Sequence, residues 1–419
     1  MNYKMLFRDA TITFATQIIT AISGIIIMTT ISRSFGLESY GNYYEVKRVS
    51  DILWLFFLFG MTVSIPRNKS FIDKTIHVGA VEIAVLVFPI FSATVYLFFS
   101  ENLMNLFLED DKQELIFIIN YLVVGMIIYA TISSYLRALS NFKALSLYTI
   151  VNFSLIPLLP LFYTENIIEY LTEYTKYLLI VNIVFYFIIF MIFIINFSVF
   201  SNFILKINGI FSLFKYGILR LPGLFLASLV FTLPVIILSY IGTEKEIGSL
   251  GQLFQLFSIV SMPINALGLI LLPNFSKIVA EGNIKSLKPF LLKGIKFLTV
   301  ISLAISVVLM IFLSDILFLI NGVRVEFENL ILIRILIGML VPYSIYNFLR
   351  NPIDAGNKFP FTTILIFYAF LISVILTIVL YFLLSLSGFE SAVILVSSNL
   401  LILGLSSLHY TNKLYFNKA

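Results

Sequence analysis

Twelve stretches of about 20 mostly apolar residues recur along this chain, each as long as a helix needs to cross the hydrocarbon core of a bilayer. They fall at about 9–32, 43–65, 79–100, 115–139, 144–164, 174–197, 215–241, 249–273, 290–314, 328–350, 361–384 and 390–411. The runs are continuous, whereas membrane-spanning strands would alternate over roughly ten residues. Composition agrees. The chain is 60% hydrophobic and 12% charged, where a soluble domain carries about a quarter charged residues. Its 43 phenylalanines exceed what one soluble core would hide. The first stretch follows Lys4 and Arg8, as a secretory signal would. Its apolar run is too long for one and no small-residue cleavage site follows, so it reads as an uncleaved first helix. The expected fold is therefore an all-α polytopic membrane protein of about twelve transmembrane helices.

Charge then orients the helices. With the N-terminus in the cytoplasm, the inward segments carry 18 Lys/Arg and 4 Asp/Glu, and the outward loops 5 and 15. That is a strong positive-inside bias. Glu109, Asp110 and Asp111 fall outside, while Lys285, Lys288, Lys293 and Lys296 fall inside. The expectation is a multi-pass protein of the inner (plasma) membrane with both termini cytoplasmic. The net charge of +5 is read against a membrane, and nucleic acid is not an expected partner. Because the chain has no cysteine, the topology has a direct test. Cysteine at Asp110 should react with an impermeant thiol reagent in intact cells, and cysteine at Glu281 should be inaccessible. The reverse pattern would overturn the orientation.

The fourth and tenth stretches match. Gly125-Met-Ile-Ile-Tyr-Ala-Thr-Ile-Ser-Ser-Tyr-Leu-Arg137 lies over Gly338-Met-Leu-Val-Pro-Tyr-Ser-Ile-Tyr-Asn-Phe-Leu-Arg350, and Asn141/Lys143 recur as Asn357/Lys358. Gly36, Glu38 and Gly41 similarly recur as Gly242, Glu244 and Gly248. Six helices separate each pair, so the repeat is parallel rather than inverted. Two six-helix lobes, 1–207 and 208–419, are expected around a central cleft.

Ionisable residues within a span are costly and usually face protein or water. The second stretch holds Glu45, Lys47, Arg48 and Asp51. At 100° per residue, Tyr44, Lys47, Arg48, Asp51, Leu55 and Thr62 share one stripe. In the eighth stretch the matching face carries Gly251, Gln255, Ser258, Met262 and Asn265. Arg48 and Asp51 also have the spacing of a packed ion pair. Glu45 reads as a solvated residue at the outer headgroup level. Glu82 and Arg220 lie a turn or two inside the cytoplasmic ends of their helices, where snorkelling is an alternative to a cavity-facing role. Pro222, after Arg220, favours a bent helix. Asp51 and Glu82 are the candidates for binding a coupling H+ or Na+. With no cysteine and only His77 and His409, neither a metal centre nor a catalytic triad is expected. Nucleotide-binding motifs are missing too, so no cofactor and no enzyme activity are expected.

The segment Ile31-Ser-Arg-Ser-Phe-Gly36-Leu-Glu-Ser-Tyr40-Gly41-Asn-Tyr43 resembles a signature of Wzx-type polysaccharide flippases. These belong to the multidrug/oligosaccharidyl-lipid/polysaccharide (MOP) exporter superfamily. Lys215-Tyr-Gly-Ile-Leu-Arg220-Leu-Pro222 and Leu272-Pro273-Asn-Phe-Ser are similar to it as well. The resemblance implies translocation of an undecaprenyl-diphosphate-linked oligosaccharide, such as an O-antigen unit, from the cytoplasmic to the periplasmic leaflet. It also implies alternating access between rocking lobes, coupling to an ion gradient, and a polysaccharide polymerase as a pathway partner. Lys47, Arg48 and Arg220 would then meet the diphosphate, and Gln255, Ser258 and Asn265 the sugar hydroxyls. Alternatives are a multidrug/organic-cation antiporter of the same superfamily and a membrane-embedded polymerase or ligase.

Overall fold

The computed structural model describes residues 3–71, 80–107, 113–195, 203–259, 261, 287–322, 330–356 and 361–416. Among them the chain is helical throughout, with no strand. In chain order the helices are α1 (Tyr3–Ser34), α2 (Leu37–Phe57), α3 (Met61–Phe71), α4 (Ala80–Phe107), α5 (Gln113–Ala138), α6 (Phe142–Ile150), α7 (Ile167–Ile195), α8 (Phe203–Ile241) and α9 (244–259). They continue with α10 (Leu287–Ile311), α11 (Leu313–Asn321), α12 (Leu330–Gly338), α13 (Leu340–Gly356), α14 (Phe361–Leu384) and α15 (Gly388–Thr411).

Among the described residues, ten helical segments are long and apolar enough to cross a membrane. The two other expected spans have visible reasons for falling outside that ten. The charges of α2 lower its hydropathy, and much of 249–273 lies outside the described residues. The outer surface is apolar: Phe162 is 85% exposed and Phe98 79%, with Phe117, Ile331 and Phe382 similarly open. In water such a surface would aggregate; in a bilayer it is the solvated face.

Helix starts in the acidic loops are capped. Ser387 and Glu390 form a reciprocal capping box on α15. Thr243 and Glu246 exchange the same pair of bonds before α9. Asn166 accepts from the Glu169 amide at the start of α7. Carboxylates at these N-termini satisfy orphan N–H groups and complement the helix dipole. Part of the acidic excess read as outward-facing therefore has this local job.

By contact, the chain separates into two compact units, Tyr43–Ser228, and Met1–Asn42 with Leu229–Ala419. The lobe boundary expected from the repeat, 207/208, divides by sequence; contact divides differently at both ends. In the larger unit, α1 lies along α9. Gly24 abuts the Gln255 amide, and Gly41 meets the Glu244 carbonyl and Gly248 so closely that a Cβ would stand 2.2 Å from the carbonyl oxygen. Gln252 donates to Ser32 (2.9 Å) and to Asn321 (2.7 Å), a buried polar knot joining α1, α9 and α11. Arg33 then donates to the Ile320 and Leu319 carbonyls, which α11 leaves exposed at its C-terminus. Further along, Gly404 of α15 packs against Pro342 of α13. Leu287, Leu291, Ile345, Phe348 and Tyr415 close a core between α10 and α13.

The unit of Tyr43–Ser228 is built on α2, α3, α5 and α7. Between α6 and α7, Tyr148 donates to Asn182, and Asn182 to Asn152 (2.8 Å), all fully buried. Such a network is tolerable in a membrane only when its members are satisfied. The chain widens into a π-turn at Val151–Leu155, just before Pro157. That proline lacks an N–H and its ring crowds the carbonyl four residues back, so the extra residue in the turn relieves the clash.

Candidate functional site

The second span is interrupted. α2 ends at Phe57, Phe59 and Gly60 take positive φ (47° and 72°), and α3 restarts at Met61. The break is where α8 crosses. Gly60 and Gly217 touch backbone to backbone, Ser64 donates to the Leu213 carbonyl (2.6 Å), and Phe56 stacks edge-on against Phe225. The pairing runs antiparallel. It places Arg220 of α8 near the level of Phe57, roughly 15 Å along the helix axis from Arg48 at 1.5 Å per residue.

Arg48 is held on its own helix. Its guanidinium lies 4.8 Å from the centre of the Tyr44 ring, its Nε donates to the Tyr44 hydroxyl at 2.7 Å, and Nη2 donates to the same oxygen. Nη1 pairs with Asp51 at 3.7 Å. Asp51 in turn accepts from Trp54 Nε1 at 3.1 Å. The ion pair is not sealed, with the two side chains 14% and 26% exposed. Lys47 sits 6.0 Å over the Tyr43 ring, and among the described residues its ammonium makes no hydrogen bond or ion pair. Tyr43 leans on Tyr170, which stacks on Tyr174, so this ring is braced from behind.

Arg220 repeats the clasp: its guanidinium lies 4.8 Å from the ring of Tyr216, one turn earlier. A cation over an aromatic face keeps favourable electrostatics while shedding part of its water. Both clasped arginines belong to the unit of Tyr43–Ser228.

Other expected site residues are placed differently. Glu45 is 1% exposed and so is buried protein interior, not a solvated headgroup-level residue. Glu82 is half-buried in the first turn of α4. Gln255 is 8% exposed, against Gly24, and belongs with Ser258 to the other unit. Ser258 is half-buried, and Asn265 lies outside the described residues, as do Leu272 and Pro273. Among the described residues no cluster of three His, Cys, Asp or Glu exists for a metal.

No protein-family model matches the chain, and no curated protein matches it by sequence. Solved structures do. A MATE transporter in complex with MaL6 aligns at 13% identity and TM-score 0.70, covering 99% of this chain and 97% of that one. The MATE multidrug transporter DinF-BH aligns at 15% and 0.68, covering 99% and 96%. An inward-facing multidrug resistance MATE family transporter of the MOP superfamily aligns at 14% and 0.67, covering 96% and 97%. Near-complete coverage in both directions at such low identity speaks to architecture, and the chain has the twelve-helix fold of the MATE transporters of the MOP superfamily.

Proposed function

We propose that the protein is a membrane transporter that carries an undecaprenyl-diphosphate-linked oligosaccharide from the cytoplasmic to the periplasmic leaflet by alternating access. The observation that carries this reading is the pair of intramembrane guanidiniums, Arg48 and Arg220, each clasped over a tyrosine one turn earlier in the same unit, with Lys47 beside the first. Cations outnumber the one partly exposed carboxylate, Asp51, along this stripe. A diphosphate entering a low-dielectric site needs such compensation, because an unpaired buried anion costs several kcal/mol. Arginine further offers a planar fork matched to phosphate oxygens. Gln255, Ser258 and Asn265 would face sugar hydroxyls, and Asp51 and Glu82 would bind the coupling ion. The chain would act beside a polysaccharide polymerase rather than as an enzyme itself.

A multidrug/organic-cation antiporter is the second reading. It is favoured by the multidrug transporters among the matched structures and by the run of packed tyrosines Tyr43, Tyr170 and Tyr174. Reconstitution separates the two. Proteoliposomes with an imposed proton or sodium gradient should translocate a defined lipid-linked oligosaccharide and leave a fluorescent organic cation untransported. Asp51→Asn and Glu82→Gln should weaken gradient dependence more than substrate binding. Cation transport without oligosaccharide transport would replace the first reading by the second. Unchanged gradient dependence in both variants would remove these carboxylates from coupling.

A further inference from the structure

We infer that Arg137 is a further anion-recognising residue of this protein, set to take a phosphate of the diphosphate substrate; the inference deepens the reading above and rests on it. Arg137 closes the last turn of α5, and its Nη2 donates to the Thr62 carbonyl of α3 (3.3 Å) and to Ser134 Oγ (3.0 Å). The reason that carbonyl is available lies four residues on. A helical Thr62 carbonyl would accept from the amide of residue 66, and residue 66 is proline. Arg137 fills the position that Pro66 leaves empty.

The remaining nitrogens are spent differently. Nε and Nη1 make no hydrogen bond among the described residues, and the side chain is half-buried. A guanidinium at a helix C-terminus that merely complemented the dipole would extend toward water. This one is pinned by one nitrogen toward α3 and keeps three N–H donors available. No carboxylate among the described residues pairs with it.

Position links Arg137 to the clasped arginines. Thr62 follows Gly60 by two residues, and Gly60 is the point where Gly217 of α8 touches the broken span. Arg220 lies three residues beyond Gly217. Guanidiniums from α5 and α8 therefore flank one interruption, and Arg48 lies on α2, the helix that ends at it. A diphosphate handed past this break would meet cations from three helices.

A purely structural Arg137 makes a different prediction, and Pro66→Ala separates the two. Alanine at 66 returns an N–H to Thr62 and relieves Arg137 of its bonding duty. Farnesyl diphosphate is the probe, titrated into purified protein in detergent. The double variant Pro66→Ala/Arg137→Gln should bind it about 10- to 100-fold more weakly than Pro66→Ala, as expected for one lost charge-assisted contact. Equal affinity in the two proteins would overturn the inference. Native protein supplies a second measurement that no folding defect can confuse. Farnesyl diphosphate should protect Arg137 from phenylglyoxal, read by mass spectrometry of its peptide, and absence of protection by any diphosphate overturns the inference. Protection by inorganic pyrophosphate without farnesyl diphosphate binding would sustain the anion site and sink the lipid-linked transport reading. Equal protection by phosphatidylglycerol nanodiscs would make this a headgroup site and overturn the substrate assignment.

Discussion

Arg48→Ala and Arg220→Ala are each expected to reach the membrane at normal levels and to lose transport of a lipid-linked oligosaccharide by about 10- to 100-fold, the worth of one charge-assisted contact to phosphate. Both side chains are partly exposed and clasped by a tyrosine on their own helix, so removing them opens no large cavity. Arg48→Ala also strips Asp51 of its cation, but Asp51 keeps the Trp54 hydrogen bond. Lysine at either site should restore part of the activity. It keeps the charge while giving up the planar fork and, at 48, the hydrogen bonds to the Tyr44 hydroxyl. Surface polysaccharide in cells and initial rates in proteoliposomes are the two measurements. Well-inserted alanine variants that transport at the parental rate would remove the cationic stripe from the mechanism and leave the fold untouched.

The largest effect on folding is expected at Gly60. Its φ of 72° is one that L side chains rarely adopt, and a Cβ would stand 2.1 Å from the Gly217 carbonyl oxygen. Backbone strain of about 1–3 kcal/mol and a comparable overpacking cost add here. Together they reach a large fraction of the roughly 5–15 kcal/mol typical of native stability. Gly36→Ala is the control, since Gly36 has φ 94° but nothing within 4 Å of the added atom. Gly60→Ala should lower the thermal midpoint in detergent far more than Gly36→Ala, or prevent accumulation. Equal midpoints would mean that the helix crossing yields easily and that the close contact with α8 is not a fixed point of the fold.

These two positions also show which parts of the molecule were legible in the sequence. Spans are written in composition, because the bilayer selects long apolar runs whatever they pack against. The charged stripe of α2 was legible for the same reason: 100° per residue needs no knowledge of neighbours. What escaped depends on tertiary partners. The break at Phe59 and Gly60 exists because α8 crosses there, and only Gly60 itself hints at it. Glu45 reads as peripheral by its depth along the span, yet it is buried, because depth does not show what packs over a side chain. In the second half the expected stripe selects Gln255, whereas the amide tied into the polar knot is Gln252, one turn earlier on α9. Arg137 was visible only as one residue of a repeat. The spacing Thr62–Pro66 was the signal for an orphan carbonyl, but nothing linear says that α5 supplies the donor.

The motifs that carried the family resemblance mark packing as much as chemistry. Ser32 and Arg33 tie α1 to α9 and α11, Gly41 admits the Glu244 backbone, and Gly217 admits Gly60. A signature of this kind follows how a fold is assembled, which explains why it speaks to architecture more directly than to cargo.

Trp54 is the chain's single tryptophan, and its indole N–H is bonded to the carboxylate that pairs with Arg48. The protein thus carries one native indole, wired into a helix that holds Glu45, Lys47, Arg48 and Asp51. Light at the red edge of the aromatic band excites that indole and leaves the 22 tyrosines dark. A ligand that draws Arg48 away from Asp51, or a proton that neutralises Asp51, alters the field at a single ring. Emission from the unlabelled protein then reports occupancy and protonation of this patch in real time, with no engineered dye to perturb it.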